Sequence, residues 1–177
     1  MRTRVKAVLA LAGVLMLAGC AVPGIGGSGG TSGSGSTDGT SEGTARGGRE
    51  QVSCAGSASV TLEGRDLRYD VVGDCAEVIV RGDDLDVRMA ASTALSIEGR
   101  DNDVESSAEL GAVEIKGDEN DVEARTIASI SIAGDGNDLE ADTVGSVEIA
   151  GNDNGVEAGN DPQPVRVSGN GNTVERR

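Results

Sequence analysis

Phenylalanine, tryptophan and histidine are absent from this 177-residue chain, and Tyr69 is its only aromatic residue. A globular core of this length normally uses several aromatics, because each buries a large apolar area. The lack of histidine, together with only three cysteines, excludes most metal sites, histidine-based triads and imidazole acid–base chemistry. Basic residues are scarce too. Lys and Arg number 15 against 30 Asp and Glu, a net charge of −15, which argues against nucleic acid as a partner. Glycine, by contrast, is abundant, with 28 residues. The length suits one modest domain.

Arg2, Arg4 and Lys6 form a positive start, followed by an uncharged apolar stretch of 13 residues from Ala7 to Gly19. The stretch is too short to cross a bilayer but suits the apolar region of a secretory leader. It ends in Leu17-Ala18-Gly19-Cys20. Small residues at Ala18 and Gly19 let a peptidase bind the chain extended, and Cys20 offers a thiol. This tetrapeptide resembles the lipobox of bacterial lipoproteins. The resemblance implies that residues 1–19 are removed and that Cys20 becomes an acylated N-terminus. The protein would then be exported and lipid-anchored to the outer face of the cell membrane. Two or more acyl chains hold firmly, since each buried methylene adds about 0.8 kcal/mol. Residues 20–50 read as the lipidated cysteine and a tether: Ala21 to Glu50 holds 11 Gly, 5 Ser and 4 Thr. Such a segment has a reach of roughly 30 Å and cannot repay its ordering entropy.

From residue 51 to 177 one unit recurs. Its glycines are Gly64, Gly82, Gly99, Gly117, Gly134, Gly151 and Gly169, spaced 17 or 18 residues apart. Two alternating apolar residues precede each glycine, from Val60/Leu62 to Val165/Val167, and one follows five later, from Tyr69 to Val174. A weaker apolar position falls ten or eleven after glycine, at Cys75, Leu110, Ile127 and Val144. Alternation marks half-buried strands, a fixed period of this size marks a solenoid, and no helical spacing recurs. The expected fold is all-β: a small parallel β-solenoid of three short strands per coil, separated by tight corners. Its hand stays open, leaning to right-handed. A narrow column of Val, Ile, Leu and Ala has no room for Phe or Trp, which accounts for the composition.

Asn102, Asn120, Asn137, Asn154 and Asn172 stand three residues beyond glycine, where the first two coils have Leu67 and Leu85. Stacked amides can donate and accept along the axis, so these are read as a corner ladder and not as ligands. Glycine at the same corner supplies a positive φ or a close backbone approach. The G-x-x-N-x-V repeat behind a lipobox and a Gly/Ser tether resembles an uncharacterised domain family of actinobacterial lipoproteins, mycobacterial ones among them. That resemblance implies a surface location and carries no catalytic residue.

Acidic residues lie two, four and six positions after glycine, so stacking places like charges in columns about 5 Å apart. From Gln51 onward 27 acidic residues face 10 basic ones. Solvated charge that keeps a β-rich module soluble is one reading. The alternative is divalent-cation binding. Gly134-Asp135-Gly136-Asn137-Asp138-Leu139 is similar to the calcium-binding RTX nonapeptide, which nominates Asp121, Asp138 and Asp135, although that motif occurs twice per turn and this one once. A third reading, a polysaccharide-active enzyme, lacks an aromatic platform and any acid pair distinct from the ladder. The expectation is therefore a non-catalytic structural or interaction module without a required cofactor, meeting an envelope partner.

Two further expectations concern the ends. Acylation of Cys20 leaves Cys54 and Cys75 in an oxidising compartment, and a disulfide between them would clamp the first coil. Counting from Gly47 as a vestigial coil puts Cys54 seven after glycine. At the other end the repeat runs to Val174, with Pro162 and Pro164 where the third strand of the preceding coil should lie. Proline removes a backbone donor, so pairing there should weaken, and an uncovered final coil invites end-to-end self-association or partner docking.

Overall fold

The computed structural model describes residues 48–54 and 58–177. All belong to the second of two units in the chain, Asp38–Arg177. The expected leader, Cys20 and most of the expected tether lie outside the described residues. Twelve strands follow in order: β1 (Glu50–Ser53), β2 (Ser59–Arg65), β3 (Arg68–Val72), β4 (Cys75–Asp83), β5 (Asp86–Met89), β6 (Ser92–Ile97), β7 (Asp103–Ile115), β8 (Asp121–Ile132), β9 (Asp138–Ala150), β10 (Gly155–Ala158), β11 (Val165–Ser168) and β12 (Thr173–Arg176). Every strand pair is parallel. The chain is a β-solenoid of about seven turns, roughly 18 residues apart.

Two sheet paths run along the axis. One stacks β1-β3-β5-β7-β8-β9-β10-β12 and the other β2-β4-β6-β7-β8-β9-β11. Strands β7, β8 and β9 belong to both because each is 12 or 13 residues long and bends around the coil. The expected three short strands are thus correct in position but not in continuity. In these coils only the Gly/Asn corner interrupts the strand; in the earlier coils breaks also fall at Gly73–Asp74 and Ala90–Ala91. Alternating inward side chains tolerate a bend, whereas the left-handed corner residue ends the extended strand while its N–H still donates to the next coil, as Glu119 does to Asp135 at 3.0 Å. The mixed 17- and 18-residue spacing has a local cause as well. Ser106 pairs with Ala124 but Glu109 with Thr126, so the extra residue of that coil sits in a bulge at 107–108.

The core is the axial column that the alternation demands. Val78, Val80, Leu95, Ile97, Val113, Ile115, Ile130, Ile132, Val147 and Ile149 are buried on one side, and Val87, Val104, Val122, Leu139 and Val156 on the next. Each such side chain contributes about 1.5–3 kcal/mol by leaving water. The third side is less uniform. Cys75, Ser92, Leu110, Ile127 and Val144 stack in register, with the Ser92 hydroxyl donating to the Ala94 carbonyl. Pro162 is buried in the coil after Val144.

The first coil is closed by the Cys54–Cys75 disulfide, whose Cα atoms lie 5.3 Å apart. The register assumed from Gly47 is corrected by two residues. Val52 pairs with Val71, and the Cys54 amide donates to the Val72 carbonyl at 2.9 Å, two positions further on. Val52 takes the inward site because it is the apolar residue available to cover the core there. Folded structure also starts before residue 51: Glu50 opens β1, and the Arg49 guanidinium donates to Asp86 at 2.7 and 2.9 Å.

Candidate interaction surface

The Gly/Asn corner is where the repeat carries its polar chemistry. Asn102, Asn120, Asn137 and Asn154 are buried to 1% exposure. The Oδ1 atoms of Asn120, Asn137 and Asn154 each accept twice from the asparagine one coil earlier, through its amide N–H and its Nδ2, at 2.8–3.2 Å. Each Nδ2 also donates to the glycine carbonyl of the preceding coil, as Asn120 does to Gly99 at 3.1 Å. Asn172 continues the ladder, its Oδ1 accepting from Asn154, and Leu85 N–H begins it on Asn102 at 3.1 Å. Among the described residues no buried side-chain nitrogen or oxygen is left without a partner. These amides are spent on one another.

A second ladder runs beside it, one residue after glycine, and the sequence reading missed it. The Asp118 carboxylate accepts from the Asp135 amide at 2.9 Å, Asp135 from Asn152 at 2.7 and 3.0 Å, and Asn152 from Asn170 at 3.1 Å. Its hydrogen bonds point the opposite way along the axis from those of the first ladder. In earlier coils the column holds Arg65, Asp83 and Arg100, with Arg65 paired to Asp83. A run of Asp, Asp, Asn, Asn at a fixed offset was the available signal.

Positive φ is corrected to a different position. Among the repeat glycines only Gly64 and Gly169 adopt it; the recurring left-handed residue lies two further on, at Asp66, Asp84, Asp101, Glu119, Gly136, Asp153 and Gly171. The repeat glycines serve close approach instead. A Cβ at Gly99, Gly117, Gly134 or Gly151 would collide with the glycine carbonyl of the coil before.

Outward from the β3–β5–β7–β8–β9 sheet stand two acidic columns. Asp86, Asp103, Asp121 and Asp138 are stacked in register, and beside them Glu105, Glu123, Glu140 and Glu157. Basic partners lie at the two ends. Arg49 reaches Asp86 and Asp70 and Arg88 meets Glu105 at 3.2 Å in the first coils, and Arg177 meets Glu140 from the last. Asp121 is pushed above the ordinary carboxyl range by burial and then by Asp103 and Asp138; Asp103 is raised by burial and then by Asp86 and Glu105. Asp121 and Asp138 are therefore neighbours on one face, whereas Asp135 belongs to the corner ladder on another. Among the described residues no group of three or more Asp, Glu, Cys or His is arranged to hold a metal ion. No described helix is long and apolar enough to cross a membrane.

The architecture is that of a parallel β-solenoid with a polar corner ladder and an acidic outer face. The family model described as "Protein of unknown function (DUF3060)" matches the chain twice, over residues 97–142 and 132–177. The two matches start two rungs apart, since Ile97 stacks on Ile115 and Ile115 on Ile132. No curated protein matches the chain, and no solved structure does.

Proposed function

We propose that this chain is a membrane-anchored lipoprotein of the bacterial cell envelope, presenting its solenoid as a non-catalytic structural or interaction module. The observation that carries the module reading is how the polar groups are used. Buried amides pair with each other from rung to rung, and the exposed carboxylates repeat without converging on one point. A module of that kind offers a regular, strongly charged face and not a pocket with distinct acid and base. Anchoring is supported by Leu17-Ala18-Gly19-Cys20 behind a basic, apolar leader. The tether then sets the acidic domain away from the membrane, free to meet an envelope partner. Metabolic labelling with palmitate tests the anchor: label on the wild type and none on Cys20→Ala supports it, and label-free wild type in the soluble fraction overturns it.

A second reading gives the carboxylate columns divalent cations. It is favoured by the register of Asp103, Asp121 and Asp138, whose mutual repulsion a cation would relieve. Calcium titration by calorimetry decides it, since stoichiometric micromolar heat is expected only from a defined site.

A further inference from the structure

We propose that two copies of this chain join through their C-terminal coils, in a symmetric pair with β11 of each copy antiparallel to β12 of the other. Three residues are the exposed large apolar side chains among those described, and two of them, Val165 and Val167 at 38% and 47%, lie on β11. They continue the core column, stacking on buried Val147 and Ile149, and Val174 of β12 does the same on Val156. Among the described residues each of these strands has a single partner, β9 for β11 and β10 for β12, and no described strand pairs with either outer edge. Open edges over an apolar column favour another strand pair as occupant.

The choice of a second copy rests on register and charge. Strand β11 runs into the corner at 169–172 and β12 runs out of it. A two-fold axis through that corner lays β11 antiparallel on β12 of the other copy. It sets Val167 against Val174, Ser168 against Thr173, Arg166 against Glu175 and Val165 against Arg176. The first three pairs agree in direction, and in the fourth Arg176 turns off the column to Asp161 at 3.3 Å. Val167 and Val174 are inward, and Arg166 and Glu175 point outward over Glu148 and Glu157. Among the described residues Arg166 and Glu175 take part in no ion pair, while Arg176 folds onto Asp161 and Arg177 onto Glu140 and Asp142. The symmetry therefore supplies two reciprocal Arg166–Glu175 pairs, the self-complementary pattern of a two-fold interface. Head-to-tail stacking fits less well. Among the described residues the opposite end is stepped, with β1 covering β3 but nothing on the outer edge of β2. Seating β1 on β12 would leave β2 a rung, about 4.8 Å, short of β11.

The proposal does not depend on how the chain is anchored; acylation of Cys20 is read separately. The test is sedimentation of the full chain in density-matched detergent over a wide concentration range, with circular dichroism to confirm folding. The wild type should reach a dimer and stop there. Arg166→Glu and Glu175→Arg should each weaken association about tenfold or more, because like charges then face each other. The double exchange should restore it to within about threefold of wild type. A monomer at all concentrations, growth beyond two copies, or a double variant no better than the singles would overturn the pairing.

Discussion

Asn120 Oδ1 accepts from both the main-chain N–H and the Nδ2 of Asn102, at 3.2 and 2.8 Å. One oxygen therefore satisfies two buried donors of the coil before, and Asn120 Nδ2 passes the arrangement on to Asn137 at 2.9 Å. Coils that carry Leu67 or Leu85 at this position show that leucine fits the corner by size. The cost of replacement should then follow the donors left behind. Asn120→Leu is expected to lose about 2–4 kcal/mol, since each orphaned buried group costs about 1–3 kcal/mol. Asn102→Leu should lose less, because the ladder would simply begin one coil later. Urea unfolding of the two variants checks the order, and equal losses would contradict it.

The corner also separates two roles for small residues. A methyl group at Gly117 would strike the Gly99 carbonyl, whereas one at Gly136 meets nothing nearer than Glu119 Cγ at 3.5 Å. Gly117→Ala should therefore destabilise by more than about 3 kcal/mol or prevent folding. Glu119 presents the opposite case, holding φ at 58° with a side chain that disfavours it. Glu119→Gly should stabilise by about 0.5–1 kcal/mol, the relief of left-handed strain outweighing the added freedom of the unfolded chain. Thermal midpoints of both variants give the comparison.

Much of this architecture was legible in the sequence. The glycine period fixed the coil length, the alternation fixed which residues face inward, and the asparagines marked the corner. The second ladder was hidden because its column reads Arg65, Asp83, Arg100, Asp118, Asp135, Asn152 and Asn170, a mixture in which only the last four share a side-chain geometry. The left-handed position was hidden for a related reason. Aspartate tolerates that conformation through local hydrogen bonding, so glycine was not needed to signal it. Of the candidate cation residues Asp121 and Asp138 share a face and Asp135 does not, because offset along a coil sets the face. Asp135 lies within the corner and Asp138 opens the strand after it, although three positions separate them.

Protonation should stabilise the acidic face before it harms the fold. Asp103 and Asp121 titrate above the ordinary carboxyl value of 3.8, because of burial and then neighbouring carboxylates. A folded-state value above the unfolded one means a penalty at neutral pH that fades as pH falls through the raised value. The relief is complete below 3.8, where the unfolded chain is protonated too. Glu98 has the opposite sign. Its hydrogen bond to Arg81 holds it below the ordinary 4.5, and that contribution is lost at still lower pH. The thermal midpoint should rise from pH 7 towards about pH 4 and then turn down. Asp121→Asn should raise it at pH 7, by about 0.5 kcal/mol of stability, and flatten the rise. A midpoint that falls steadily from pH 7 would refute the sign.

Near the C-terminal end a side chain replaces a missing strand. The expected weakness at Pro162 and Pro164 is only partial, because the chain still pairs on either side. Gln163 N–H donates to the Gly145 carbonyl at 2.7 Å, and Val147 N–H donates to the Pro164 carbonyl at 3.0 Å. Just before them, Val144 would lose both of its backbone partners. The Asn160 amide supplies both: Val144 N–H donates to Oδ1 at 2.8 Å, and Nδ2 donates to the Val144 carbonyl at 2.9 Å. One carboxamide thus copies the donor and acceptor of a peptide group at a buried rung. Asn160→Ala should cost about 2–3 kcal/mol, from two groups orphaned beside the core. Asn160→Asp keeps the acceptor but loses the donor and should fall between. Hydrogen exchange gives the local readout. The Val144 amide should exchange faster in Asn160→Ala, while the Ile127 amide one coil earlier stays protected. Val144 protection unchanged by the substitution would mean that the rung does not depend on Asn160.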